Sequence, residues 1–218
     1  MSLNLLMLGP PGAGKGTQAE RFAKERGIPK ISTGYILREA VHTKTEIGLR
    51  AKAIMDRGEL VSDDVMIGIV RERLERPDAV GGFVLDGFPR TVAQAAALDR
   101  IMADRDPLIV VDIVVPEDEL VRRLGTRSIC RLCGTGASVG SAVGAACAKC
   151  GGRLVQRTDD NQEVVLERLK VYHRQSEPLV EYYKVRPTFR SIDGAQAPDR
   201  VAADLAAAIA AASNGAVA

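Results

Sequence analysis

The chain has 218 residues, 46% of them hydrophobic and 27% charged, with a net charge of +2 and an isoelectric point of about 8.4. That length supports one sizeable domain with a real core and room for small insertions. The near balance of charge argues against a general nucleic-acid or membrane-surface binder. No run approaches the ~18 apolar residues of a membrane span, and the N-terminus lacks the pattern of a secretion signal, so a cytoplasmic protein is expected.

In chain order, Leu3–Leu8 is a short apolar run ending at Gly9 and predicts a buried strand. Gly14–Arg26 predicts a helix stopped by Gly27. Residues 32–61 read as a helical, moderately charged insertion. Ser62–Leu74 predicts a helix, Phe83–Asp86 a strand, Thr91–Ala103 a helix, Leu108–Val115 a strand and Glu117–Leu124 a helix. Residues 127–160 hold all four cysteines and stand outside this alternation. Asn161–Lys184 predicts one long amphipathic helix that Pro178 should kink or interrupt, Thr188–Asp193 a weaker strand, and Val201–Ala212 a last helix fraying into the C-terminal residues. Strands alternating with helices indicate an α/β fold with a parallel sheet covered on both faces.

The stretch Gly9-Pro-Pro-Gly-Ala-Gly-Lys15-Gly-Thr17 follows a strand and opens a helix, the setting in which G-x-x-x-x-G-K binds phosphate. Its glycines let the backbone turn N–H groups inward, the helix N-terminus adds partial positive charge, and Lys15 adds a full one. The bland alternative is a glycine-rich turn with a solvated lysine, and the agreement of strand, spacing, lysine and helix argues against it. Gly16 stands where the standard loop has Ser or Thr, so a hydroxyl placed directly on magnesium at that position is not expected. Thr17 is the next hydroxyl, suited to a neighbouring phosphate.

Cys130, Cys133, Cys147 and Cys150 form two C-x2-C pairs separated by 13 residues. That spacing suits one tetrahedral ion better than two disulfides. Four thiolates favour zinc, with iron or cobalt as alternatives, and a closed site of this kind is structural. The residues between the pairs are only Gly, Ala, Ser, Thr and Val. They can build no core, so the ion would supply folding energy. Reduced, metal-free thiols are the alternative. A nucleic-acid-binding ribbon is disfavoured, because Arg131, Lys149 and Arg153 have no aromatic partner for stacking.

"ISTGYILR" (Ile31–Arg38) and "LDGFPRTVAQ" (Leu85–Gln94) narrow the reading. With these two motifs beside the phosphate loop, the chain resembles the adenylate kinase family, in its long-lid form with a four-cysteine lid, over nearly its whole length. The resemblance implies a P-loop core at residues 1–31, 62–126 and 161–218, a small AMP-binding insertion at 32–61 and a lid at 127–160. It implies reversible phosphoryl transfer from Mg-ATP to AMP giving two ADP. By position, ATP would meet Gly12, Ala13, Gly14, Lys15, Gly16, Thr17, Arg123, Arg127 and Gln196. AMP would meet Thr33, Gly34, Arg38, Glu59, Leu60, Val61, Gly87, Arg90, Gln94, Arg157 and Arg168. Lys15, Arg90, Arg127, Arg157 and Arg168 would carry catalysis, and Asp86 would hold magnesium through water. Asp159 and Asp160 would anchor the lid hinge and orient the arginines.

Physical chemistry supports that set, since two anionic nucleotides must meet and a loose, charge-spread transition state needs positioned cations. A solvated surface role is the ordinary fate of any one arginine, and Arg122 is an alternative to Arg123. His42 and His173 read as surface or structural residues. The chain departs from the family pattern at Tyr35, where aspartate is common, and at Ser128, where a second arginine is common. It departs also at Gln196, where lysine is common, and in a shortened inner lid. The expected partners are ATP, AMP and ADP, with no nucleic acid, no membrane and a monomeric chain. The alternatives are another nucleoside monophosphate kinase, a GTP-preferring variant, or a nucleotide-dependent zinc-ribbon binding module.

Overall fold

A computed structural model gives the structure of the protein and describes residues 2–137, 141–157 and 160–215. Five strands form the main sheet: β1 (Leu3–Leu8), β2 (Lys30–Ser32), β3 (Gly82–Asp86), β4 (Leu108–Val114) and β7 (Phe189–Asp193). Their order is β2-β3-β1-β4-β7, and every neighbouring pair is parallel. A parallel sheet buried on both faces needs apolar side chains facing both ways, which is why these strands read as unbroken apolar runs. Leu5, Met7, Val111 and Ile113 point into one core cluster, while Leu6, Leu8, Leu85 and Val110 point into the other. Each such fully buried side chain contributes about 1.5–3 kcal/mol relative to exposure.

The first cluster is closed by α1 (Lys15–Arg26), α6 (Glu117–Gly125), α7 (Gln162–Val171) and α9 (Pro198–Gly215). The second is closed by α4 (Asp63–Leu74), α5 (Val92–Ile101) and α8 (Pro178–Lys184), together with α2 (Thr33–His42) and α3 (Glu46–Asp56). The last helix begins earlier than its apolar pattern and runs on to Gly215. Gly27 ends α1 in the left-handed region at φ 64°, as its position in the sequence predicts. The three-residue β2 was not foreseen, because "KIS" is too short to show a period.

The long helix expected from Asn161 to Lys184 is interrupted next to Pro178, as expected, but on its upstream side. It stops at Val171, a π-helical turn follows over Tyr172–Ser176, and α8 starts at Pro178. Pro178 has no N–H for the carbonyl of Arg174, and its ring would crowd that carbonyl. The backbone widens upstream to make room, and the Glu177 N–H reaches the carbonyl of Tyr172, five residues back, at 2.9 Å. The break therefore precedes the proline instead of sitting on it.

β5 (Ser128–Cys130) and β6 (Leu154–Gln156) form a separate antiparallel pair that carries the cysteine segment. Among the described residues its buried hydrophobic interior is Cys130, Cys147 and Leu154.

Candidate active site

A cleft of about 1690 Å³ opens at the carboxyl ends of the strands, where ligands gather in open α/β sheets. It exceeds the ~300–1,000 Å³ of a pocket for one small molecule. Every residue expected to hold nucleotide lines it, from Gly12 through Gln196. The distant motifs thus converge on one place.

The phosphate loop leaves the central strand β1 and passes so close to β4 that a Cβ on Gly9 would lie 2.6 Å from the carbonyl oxygen of Ile113. The Lys15 ammonium curls over the loop and donates to the carbonyls of Gly9 at 2.6 Å and Pro10 at 2.8 Å. Burial lowers this ammonium to about 8; Asp86 counters that, while Arg90, Arg168 and Arg127 lower it further. The four cations therefore share one field. Asp86, at the end of β3, accepts the Ser32 hydroxyl at 3.1 Å. A Cβ on Gly16 would lie 3.4 Å from its Oδ2, so the loop's missing side chain lets the carboxylate approach.

On the β2–β3 side, Thr33 is buried and donates to the Gly87 carbonyl at 2.8 Å, which also accepts Arg90 Nε at 2.8 Å. Gly87 has φ 81°, and a Cβ there would stand 3.1 Å from both Arg90 Nη2 and Thr33 Oγ1, so only glycine serves. Arg38 lies back over its own helix start, 3.1 Å from where a Gly34 Cβ would be. Gln94 is buried, with Oε1 accepting from the Arg90 backbone N–H and Nε2 donating to Asp63. Leu60 and Val61 line the cleft beside them, while Glu59 pairs with Arg57 at the surface.

On the other side, Arg123 donates to Glu119 at 2.6 Å and to the Gly194 carbonyl at 2.9 Å, and Gln196 donates to Asp204 at 2.9 Å. Arg122 is exposed, so Arg123 is the inward member of the pair. Asp160 is buried and draws in Arg127 Nε at 2.7 Å and Arg168 Nη1 at 2.9 Å, with Arg157 Nε at 3.9 Å. Asp159 lies outside the described residues. His42 and His173 are exposed, the latter bonded to Glu117 and Glu177.

The four cysteine sulfurs lie within 4.8 Å of one another, with 3.4 Å between Cys130 and Cys150 and 3.8 Å between Cys133 and Cys147. Tetrahedral zinc with sulfurs at ~2.3 Å places them about 3.8 Å apart, so the cluster can hold such an ion. Backbone N–H groups of Cys133 and Lys149 point at the sulfurs of Cys130 and Cys147, at 3.5 and 3.4 Å. The Thr135 hydroxyl and amide lower the Cys133 thiol to about 6, whereas at Cys150 the Gly152 backbone lowers the thiol but the neighbouring sulfurs outweigh it and push it up to about 12.

Several contacts in the site had no signal in the sequence. Lys149 of the knuckle reaches Glu20 of α1 at 3.2 Å, and Glu20 also meets Lys30 at 3.3 Å. Lys30 in turn donates to the Gly16 carbonyl at 2.9 Å. The Tyr35 ring lies against Gly134 of the knuckle, where a Cβ would come within 2.9 Å. Ser176, in the π-helical turn, donates to the Arg90 carbonyl at 2.8 Å. Only the odd placement of tyrosine in "STGYILR" hinted at any of this.

Comparison with known proteins agrees with the geometry. The family model described as Adenylate kinase matches residues 7–188. A curated Adenylate kinase of Archaeoglobus fulgidus is 52% identical over 200 residues, covering 88% of this chain and 91% of that protein. One of Geobacillus sp. is 50% identical over 208 residues, covering 93% and 96%, and one of Thermodesulfovibrio yellowstonii is 48% identical over 204 residues, covering 91% and 95%. With one cleft lined by a phosphate loop and a ring of arginines, and with relatives this similar over nearly the full length, the chain belongs to the adenylate kinase family, the phosphotransferases that turn Mg-ATP and AMP into two ADP.

Proposed function

We propose that Mg-ATP and AMP occupy the two halves of this cleft at once and meet at the cations between them. The observation that carries this reading is that Lys15, Arg90, Arg127 and Arg168 all line the cleft and lie close enough to share one field. The P-loop core is residues 1–31, 62–126 and 161–218, the AMP-binding insertion 32–61 and the lid 127–160. The donor phosphates lie on the N–H groups of Gly12–Thr17 and on Lys15, which trades the Gly9 and Pro10 carbonyls for phosphate oxygens. Arg123 and the backbone near Gln196 flank the donor nucleoside. AMP lies against Thr33, Gly34, Arg38, the backbone of Glu59–Val61, Gly87, Arg90 and Gln94.

Transfer is direct and in line. Arg127, Arg157 and Arg168, held together by Asp160, and Arg90 spread their charge over the moving phosphoryl group. Asp86 orients the waters of the magnesium that arrives with ATP. Asp160, at the lid's edge, keeps the lid arginines aimed inward as the lid closes over the cleft and excludes water.

The four cysteines would hold zinc as a structural clasp, since four sulfurs leave no open position for chemistry. Both halves of the cleft come from a single chain, which supports a monomer. None of the four cysteines is in a disulfide, which suits both a zinc site and a reducing cytoplasm. The test is a coupled assay of ADP formed from Mg-ATP with AMP, GMP, CMP and UMP in turn. AMP should be the best acceptor. Equal turnover without an acceptor, or a better rate with another monophosphate, would overturn the reading.

A further inference from the structure

Gln94 is 1% exposed, and the chain grips each end of its amide with a group of fixed polarity. The Arg90 backbone N–H can only donate, and it meets Oε1 at 2.7 Å. An ionised carboxylate can only accept, and Asp63 Oδ1 takes Nε2 at 2.7 Å. Reversing the amide would set oxygen against carboxylate and NH2 against N–H. Asp63 is itself tied in place. It stands in the first turn of α4, and its Oδ2 accepts the Thr91 hydroxyl at 3.0 Å. Thr91 is also the N-cap of α5, where its oxygen accepts the Gln94 backbone N–H at 3.2 Å. Asp63, Thr91 and Gln94 thus form a closed bracket joining the starts of two helices.

An amide has two N–H groups and an oxygen with two lone pairs. The bracket uses one of each, leaving one donor and one acceptor in a fixed order on a side chain that lines the cleft. Adenine's pairing edge presents a 6-amino donor and an N1 acceptor. A 6-oxo purine presents the reverse, an O6 acceptor and an N1–H donor. We propose that Asp63 sets the acceptor-base specificity by locking the Gln94 amide in the orientation that takes a 6-amino purine and refuses a 6-oxo purine. This rests on the proposed placing of AMP against Gln94, with the amide, a donor and an acceptor side by side, as the contact to the base. Asp63 is a positioning residue: it lies behind Gln94 and acts only through it.

The experiment compares kcat/KM for AMP and IMP as acceptors of Mg-ATP. IMP differs from AMP on the pairing edge and leaves position 2 unchanged. The proteins are wild type, Asp63→Asn, Gln94→Leu and the double variant, with Tm and the KM for Mg-ATP measured on each. An asparagine amide can turn either way, so Gln94 is free to follow the base. Asp63→Asn should lower the AMP-to-IMP ratio roughly 5- to 100-fold, the range for mispairing a buried polar group. The KM for Mg-ATP should not move, and the double variant should match Gln94→Leu alone. A wild-type ratio in Asp63→Asn, with AMP use still impaired in Gln94→Leu, would overturn the role of Asp63 and leave the Gln94 reading standing. An unchanged KM for AMP in Gln94→Leu would overturn both. Equal losses on the two acceptors with a lowered Tm would make Asp63 merely structural and also refute the proposal. Should Asp63→Asn fail to fold, Thr91→Val frees Asp63 Oδ2 while keeping the carboxylate. It should shift the ratio in the same direction by less, and no shift would count against the lock.

Discussion

The Asp160 carboxylate accepts both Nε and Nη2 of Arg127, the first at 2.7 Å, across 33 residues of chain that contain the whole cysteine segment. The base of that segment is thereby closed by a charge-assisted fork, the strong form of a carboxylate–guanidinium pair. The same carboxylate meets Arg168 Nη1 at 2.9 Å, so one buried anion sets the spacing of cations drawn from the lid's edge and from α7.

Asp160→Ala should therefore harm both stability and rate. Losing one partner of a buried pair costs about 3 kcal/mol at the low end of the usual range, because the arginines are left uncompensated. At about 2–4 °C per kcal/mol for a chain of this size, Tm should fall by roughly 6–12 °C. The arginines remain but lose their alignment, and a misplacement of about 1 Å costs on the order of 10²-fold in rate. Melting curves and kcat on the same preparations decide the matter. A rate within about twofold of wild type would mean that the arginines are positioned without Asp160.

Lys15 carries a pH-dependent prediction. Burial holds its ammonium at about 8 in the nucleotide-free site, so the cation is present below that pH and is lost above it. A phosphate needs the cation. ATP affinity should be level from pH 7 to about 8 and then fall, by up to tenfold per pH unit, until the pH reaches the higher pKa of the phosphate-bound ammonium. Lys15→Arg keeps its charge across this range and should show no such fall, whatever its absolute affinity. Lys15→Ala should lose most of its turnover while Tm stays near wild type. Affinities by calorimetry between pH 7 and 9.5 provide the test, and parallel curves for wild type and Lys15→Arg would remove Lys15 from the explanation.

Asp112 bears on stability. It lies on β4, 5% exposed, and its Oδ1 has no hydrogen-bond partner among the described residues. Burial raises its carboxyl above the usual value; the nearby Lys15 charge opposes this and Glu177 adds to it. A folded pKa above the unfolded one gives stability that is full below about pH 4 and lost as pH rises through the folded value. At pH 7 burying the carboxylate is thus a cost to stability. Asp112→Asn should raise Tm at pH 7. The gain should shrink toward pH 4, and melting curves at the two pH values settle the sign.

Sequence showed the frame well and the brackets poorly. The phosphate loop was legible because glycine spacing, a lysine and the strand-to-helix switch all act locally. So were the strands of a sheet buried on both faces, since each must be an apolar run. Asp63 was not legible as the partner of Gln94, 31 residues away, because nothing local marks a carboxylate that will bond an amide. Lys149 and Glu20 are 129 residues apart and meet only through the fold. The π-helical turn was missed because Pro178 announces a break but not its side.

The cysteine knuckle separates a structural metal from a catalytic one. Among the described residues its buried hydrophobic interior is two cysteines and Leu154, too little to hold the segment by apolar burial alone. Bound zinc would supply that missing energy, on the order of 10 kcal/mol apparent for structural sites. Lys15, Arg38 and Arg90 lie in other parts of the chain, and none touches the sulfurs. Cys147→Ser, or treatment with a chelator, should lower Tm and loosen the lid but leave measurable transfer at a temperature where the core stays folded. Some rate must be lost, because Arg127 stands three residues before Cys130 and the contacts of Lys149 with Glu20 and of Tyr35 with Gly134 depend on the knuckle's shape. The contact with Glu20 is a surface pair and adds at most about 1 kcal/mol to closure. Metal content, melting curve and low-temperature turnover should be read on the same samples. One ion per chain, a lower Tm and residual turnover are the expected result. A folded, metal-free protein with no turnover at all would show that the ion takes part in the chemistry.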